Sequence, residues 1–288
     1  MPVEFHFKEE HALKTWKYSV SYAEHTPLTA PLPLDGPLED ALRLASGMGY
    51  DAIEYHTREN VAQDLPRLRR LQEELNIRIC SVVSGRLYTQ GKCSLLDDAV
   101  YVSERAMQGM REYILLAEFL GADLVVGWAK GNVPQGGDRA EYLDRLAGYL
   151  RTLADFGREH HVRLLFEVIN RYEVNIFNTA KETADFIRQH QLSNCYVHLD
   201  TFHMSIEETD PWEAIRCCKD LLGYVHVADN TRLYPGSGQL DFRKLLQTLE
   251  EIGYSGYVNV ECFPCPDRET SARLALDHLR MCEDALHN

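Results

Sequence analysis

Along the chain, short runs of contiguous apolar residues alternate with longer stretches in which apolar residues recur every three or four positions. The short runs are Trp16–Tyr22, Asp51–His56, Arg78–Val83, Asp123–Trp128, Arg163–Ile169, Tyr196–Asp200, Tyr224–Asp229 and Tyr257–Cys262. Rich in Val, Ile, Tyr and Phe, they read as parallel strands buried on both faces. Between them lie amphipathic stretches at helical spacing. Leu38–Gly49 carries Leu38, Ala41, Leu42, Ala45 and Met48 on one face, with Pro37 placed for a first helical turn. Leu65–Leu75 repeats the pattern, followed by Ala99–Leu120, Arg139–Glu159, Ala180–His190, Pro211–Leu222, Phe242–Ile252 and Thr270–Leu286. Gly49, Gly121, Gly223 and Gly253 stand just ahead of strands, where helices end in the left-handed conformation.

Strands alternating with helices imply βαβ units. Their mean spacing of roughly 34 residues suits a (β/α)8 TIM barrel, an α/β fold of about 250 residues. An open, doubly wound sheet is the alternative. No linker or low-complexity segment interrupts the pattern. The chain therefore reads as a single domain, with residues 1–15 an extension outside the first strand and residues 16–288 the barrel.

Composition narrows the function classes. Hydrophobic residues make up 45% of the 288, enough for a core and too many for a disordered chain. Asp plus Glu number 44 against 30 Lys plus Arg, a formal net charge of −14. That balance argues against a non-specific nucleic-acid binder and against docking on anionic membranes. The N-terminus has no basic segment followed by an apolar one, and no run reaches the roughly 18 apolar residues of a membrane span. The eight cysteines are scattered, unlike a disulfide framework. Cys262-Phe-Pro-Cys265 is one CxxC, readable as a redox or zinc pair and more simply as two packed thiols. The expectation is a cytoplasmic, reduced protein.

A barrel places its chemistry at the C-terminal ends of the strands. There the chain has Glu167 after strand five, Asp200 after strand six, His226 and Asp229 at strand seven, and Glu261 at strand eight. Carboxylates converging from neighbouring strands repel one another, and a divalent cation resolves the conflict. Oxygen donors with one imidazole suit Mn²⁺, Mg²⁺ or Co²⁺ better than a thiolate-type zinc site, with Zn²⁺ left open. The competing reading of each residue alone is a hydrogen-bonded rim residue. His198 is expected on the opposite face of its strand, as a packed structural histidine. Trp128, at the end of strand four, reads as an apolar wall for a sugar face or as a core tryptophan. Lys130 and Arg86 are weaker candidates at the same end. Pro235-Gly-Ser-Gly238 offers backbone N–H groups to a phosphate or forms a plain turn.

These residues resemble the xylose-isomerase-like sugar isomerases and epimerases, in particular the D-tagatose 3-epimerase-like branch. The blocks are Glu167-Val-Ile-Asn-Arg-Tyr-Glu173, Asp200-Thr-Phe-His203-Met-Ser-Ile-Glu-Glu208, His226-Val-Ala-Asp-Asn-Thr-Arg232 with Pro235-Gly-Ser-Gly238, and Glu261. Within the branch, Tyr257-Val-Asn-Val-Glu-Cys-Phe-Pro resembles the 5-keto-L-gluconate epimerases, and Leu221–Gly238 resembles the 3-keto-guloside 4-epimerases. The chain departs from the tagatose epimerases at Ser84-Gly85, Ala228-Asp229 and Gln239.

The resemblance implies one divalent metal ion, Mn²⁺ first, held by Glu167, Asp200, His226 and Glu261. It makes Glu167 and Glu261 the acid–base pair for proton abstraction next to a carbonyl through a metal-stabilised enediolate. It also places Glu173, His203 and Arg232 on the substrate; the position of Trp128 at the end of strand four adds it as a substrate-binding candidate. The expected substrate is a small keto-sugar or sugar acid, not nucleic acid, and a homodimer or tetramer is expected. Alternatives are a metal-dependent 3-keto-glycoside epimerase or lyase/hydratase, an abasic-site endonuclease, and a non-catalytic sugar binder.

Overall fold

Closure of the barrel follows from the eight apolar runs, each of which forms a strand hydrogen-bonded in parallel to the next. They are β1 (Lys17–Tyr22), β2 (Ala52–Tyr55), β3 (Arg78–Val83), β4 (Asp123–Val126), β5 (Leu164–Glu167), β6 (Cys195–Asp200), β7 (Leu222–Val227) and β8 (Tyr257–Val260). β8 returns to β1, so the sheet has no edge and the doubly wound alternative is excluded. The computed structural model describes residues 16–57 and 65–287. The extension expected over residues 1–15 lies outside the described residues.

The helices are α1 (Leu38–Met48), α2 (Leu65–Leu75), α3 (Gly85–Thr89), α4 (Val100–Leu120), α5 (Arg139–Glu159), α6 (Ala180–Gln189), α7 (Thr201–Glu207), α8 (Pro211–Cys217), α9 (Phe242–Glu251) and α10 (Arg268–His287). Each amphipathic stretch read from the sequence is a helix. The sixth stretch, Pro211–Leu222, ends early, because α8 stops at Cys217. α3, α7 and a 3₁₀ turn at Trp128–Lys130 had no periodic signal, being under two turns long. Asp138, Thr179, Asp210 and Asp241 cap their helices by accepting first-turn N–H groups.

Gly49, Gly121 and Gly253 adopt φ of 91°, 69° and 70°, as expected of helix ends. Gly223 does not: it lies inside β7, where a Cβ would stand 2.6 Å from Tyr196 Cβ and 2.9 Å from Leu165 Cδ2. Close strand approach, not helix termination, requires a glycine there.

Outward side chains of the strands pack against the helices; Phe166, for example, stacks on Phe186 of α6 at 6.3 Å between ring centroids. Inside the barrel, Ala52, Cys80, Val125, Leu165 and Tyr224 form a separate apolar cluster. The rest of the interior is polar, with Ser19, Ser21, Glu54, Ser81, His198, His226 and Asn259 all buried. No described helix is long and apolar enough to cross a membrane.

Candidate active site

A cavity of about 640 Å³ opens at the C-terminal ends of the strands. Trp128, Glu167, Glu173, His203, His226, Arg232 and Glu261 line it, and Asp200 lies buried beneath. The eight residues expected to hold the metal and the substrate are therefore brought together.

Glu167, Asp200, His226 and Glu261 each present one donor atom, and the four atoms lie within 4.8 Å of one another. Asp200 divides its oxygens between two tasks. Oδ1 caps α7 by accepting the Phe202 N–H at 2.8 Å, while Oδ2 faces Arg232 Nη1 at 3.1 Å. Arg232 also donates to Glu261 Oε2 in a short contact. One guanidinium thus pairs with two of the three carboxylates of the cluster. Burial and the Glu261 charge push the Glu167 carboxyl up to about 8. For Glu261, burial acts upward, but His226 and Arg232 outweigh it and hold the carboxyl below the usual range. Burial also works against a charged His226, but Glu54 and Glu261 overcome it and raise the imidazole well above its ordinary value.

The donor set fits a hard divalent cation. His226 Nδ1 is buried without a hydrogen-bond partner and stands 3.5 Å from Glu261 Oε2. Gly127, just past β4, lacks the Cβ that would collide with Glu167 Oε2. Among the described residues, no group with metal-ligand geometry includes a cysteine, and all eight cysteines are free. Cys262 is buried and Cys265 exposed.

Glu173 accepts from Trp128 Nε1 at 3.1 Å and from Asn170 Nδ2 at 2.9 Å. Asn170 Nδ2 also donates to His203 Nδ1 at 2.7 Å. Burial and the Arg232 charge keep His203 neutral. Trp128 is 36% exposed and forms part of the cavity wall, so the core-tryptophan alternative is set aside. Arg232 pairs with Asp200 and Glu261, and no direct Glu173–Arg232 bridge forms among the described contacts.

One expectation changes, the face on which His198 sits, and three further readings are decided. His198 is on the same face of β6 as Asp200, since the two differ by two positions; its ring packs 4.0 Å from that of His226 inside the barrel. Asp229 takes no part in the donor cluster. Its carboxylate accepts the backbone N–H groups of Asn230, Gly236, Gly238, Gln239 and Leu240. The Pro235–Gly238 turn has thereby committed the N–H groups of Gly236 and Gly238 internally, which removes the phosphate reading. Lys130 is fully buried, with Nζ donating to the carbonyls of Gly127 at 3.3 Å and Glu167 at 3.2 Å.

Sequence reading missed Glu54 and His56. Glu54 lies under the cluster, and His56 lines the cavity 3.6 Å from Glu261 Oε1. The available signal was Glu54 itself, a carboxylate in the apolar run of β2.

A family model described as xylose isomerase-like TIM barrel matches residues 42–282. The chain is similar to L-ribulose 3-epimerase of Methylomonas sp. (strain DH-1), at 31% identity over 225 residues, covering 77% of each chain. It is similar to 3-dehydro-D-guloside 4-epimerase of Escherichia coli (strain K12), at 34% identity over 194 residues, 63% of this chain and 74% of that one. Its fold matches a solved structure of L-ribulose 3-epimerase with a TM-score of 0.81 at 23% identity, covering 94% of this chain and 97% of the other.

Proposed function

Because the chain belongs to the xylose isomerase-like TIM-barrel family, and is a sugar epimerase by its kinship with the ketose and keto-glycoside enzymes, we propose that it inverts a carbon next to the carbonyl of a keto-sugar or keto sugar acid, using two glutamates and one divalent cation. The observation that carries this reading is the convergence of Glu167, Asp200, His226 and Glu261 on one point at the floor of the cavity.

These four side chains would hold the cation, with Mn²⁺ favoured by the oxygen-rich set. Such a cation supplies an electrophile that polarises the carbonyl and acidifies the adjacent C–H. Glu261, with its carboxyl held low by His226 and Arg232, takes that proton, and the C–H electron pair moves into an enediolate. Glu167, from across the cluster, returns a proton to the opposite face of the same carbon, which inverts it. For the reverse reaction the two carboxyls exchange roles. Arg232, His203 and Glu173 bind and orient substrate oxygens, and Trp128 covers a sugar face. Burial of the floor keeps water from competing for the transferred proton.

The experiment is a panel of ketoses, keto-gluconates and 3-keto-glycosides incubated with the Mn²⁺-loaded protein in D₂O and followed by NMR. Deuterium should enter at the inverted carbon. Glu167→Gln and Glu261→Gln should each lower the rate by about 10²–10⁴-fold. Full activity in either variant on a turned-over ketose would refute the two-glutamate scheme.

A 3-keto-glycoside is the second substrate reading. It is supported by the Leu221–Gly238 block and by the similarity to the 3-dehydro-D-guloside enzyme. Loss of the glycosidic group in the same NMR experiment would mark elimination instead of inversion.

A further inference from the structure

Glu54 is a carboxylate with no solvent exposure, in the middle of the barrel, and the proton-transfer scheme does not use it. A buried carboxylate is costly unless donors surround it. Here five do. Ser21 Oγ, Ser81 Oγ, His226 Nε2 and His56 Nε2 each lie 2.9 Å from one of its oxygens, and Asn259 Nδ2 lies at 3.3 Å. The donors are themselves braced. Asn259 Nδ2 also donates to Ser21 Oγ at 2.8 Å, Ser19 Oγ donates to Asn259 Oδ1 at 2.9 Å, and Ser81 Oγ meets Tyr224 Oη at 3.0 Å.

Two of the five donors are imidazoles that face Glu261 from different sides. An ionised carboxylate only accepts, so Nε2 of His226 must carry a proton. That leaves Nδ1 as the atom directed at Glu261, and Nδ1 is the one buried ring nitrogen of His226 without a partner. His56 is held by the same carboxylate, with Nε2 3.6 Å from Glu261 Oε1.

We propose that Glu54 is a positioning residue: it clamps His226 with Nε2 protonated and Nδ1 turned to the cation site, and it holds His56 beside Glu261. The proposal rests on the cation reading above, in that the clamp acts on one of its ligands. Glu54, His56 and Glu261 also come within 4.8 Å as a donor group of their own. With five hydrogen-bond donors already on its oxygens, Glu54 acts as an anchor and not as a ligand of a second ion.

The test uses Glu54→Gln, which keeps the shape but turns an NH₂ toward donors that need an acceptor. Mn²⁺ affinity, read from the electron paramagnetic resonance signal of free Mn²⁺ without any turnover, should fall about 10–100-fold. Nitrogen chemical shifts of the Mg²⁺-loaded wild type should place the His226 proton on Nε2, a measurement that stands even if the variant does not fold. An Nδ1 proton would overturn the proposal, as would unchanged Mn²⁺ affinity in the variant. Two Mn²⁺ per wild-type chain with one lost in Glu54→Gln would also overturn it, making Glu54 a ligand. If the wild type binds neither ion, the cation reading fails. The clamp is then judged alone, by whether metal-free wild type shows an exchange-protected, low-field His226 Nε2 proton that Glu54→Gln abolishes.

Discussion

The loop after β7 should depend on a single carboxylate, and Asp229→Asn measures how far. Asp229 Oδ1 accepts the N–H groups of Asn230 at 2.9 Å, Gln239 at 2.8 Å and Leu240 at 3.1 Å, while Oδ2 accepts those of Gly236 at 3.0 Å and Gly238 at 2.8 Å. The carboxylate fills the space where a Gly238 side chain would lie, and Gly236 and Arg232 hold positive φ of 89° and 58° around it. An asparagine in either orientation keeps one acceptor oxygen and sets an NH₂ against the N–H groups that faced the other. At least two hydrogen bonds to a charged acceptor are lost. At the low end of about 1.5 kcal/mol each, the loop loses about 3 kcal/mol.

Opening confined to the loop should appear in amide exchange and not in global unfolding. About 3 kcal/mol corresponds to roughly 150-fold faster exchange, read by mass spectrometry over residues 230–240, with the strands unchanged. Arg232 rides on this loop and pairs with Asp200 and Glu261, so substrate KM should rise in the same variant. An exchange rate in the loop within about threefold of wild type would refute the view that Asp229 organises it.

Other expectations follow from single contacts. His226, raised well above its ordinary value, holds a proton on both ring nitrogens in the metal-free protein. Cation uptake at Nδ1 should therefore release a proton, and affinity should strengthen as pH rises. Calorimetry in two buffers of different ionisation enthalpy measures this, and equal heats would count against it. Gly223→Ala should cost about 1–3 kcal/mol of stability by forcing β7 away from Tyr196 and Leu165, with Mn²⁺ affinity retained; a thermal melt decides. Trp128→Phe keeps a cavity wall but loses the donor to Glu173 at 3.1 Å, and KM should rise by up to about tenfold while kcat changes less.

Strands and long helices were legible because burial on one or two faces leaves a period in the residues themselves. Leu65–Leu75 and Arg139–Glu159 run over the same residues as α2 and α5. The short helices α3 and α7 were missed because each follows almost directly on a strand end and shows no separate period. The four converging ligand candidates were legible for a different reason: each is a polar residue at the end of an apolar run, where only the mouth of a barrel accommodates it. Asp229 met the same criterion but stays outside the cluster, because five backbone N–H donors from its own loop satisfy it, and those partners depend on a loop conformation that no period encodes.

The polar interior was hidden by the assumption that made the strands easy to find. A near-continuous apolar run suggests two buried faces of similar chemistry, yet the inward face here carries Ser19 and Ser21 in β1, Glu54 in β2, Ser81 in β3, His198 and Asp200 in β6, His226 in β7 and Asn259 in β8. Within β1 and β6 these residues stand two apart, so each strand keeps one parity for its polar positions and the other for contact with the helices. Reading parity strand by strand places His198 with Asp200 and draws Glu54 into the barrel. Closing the sheet in the order β1 to β8 then sets β2 across the interior from β7, where Glu54 meets His226 at 2.9 Å despite a sequence separation of 172. The cluster at the mouth is therefore the upper edge of a continuous hydrogen-bonded column. On the proposed reading, His226 is oriented from below, by a carboxylate that serines and an asparagine hold in place and that resembles an ordinary strand residue until the ring is closed.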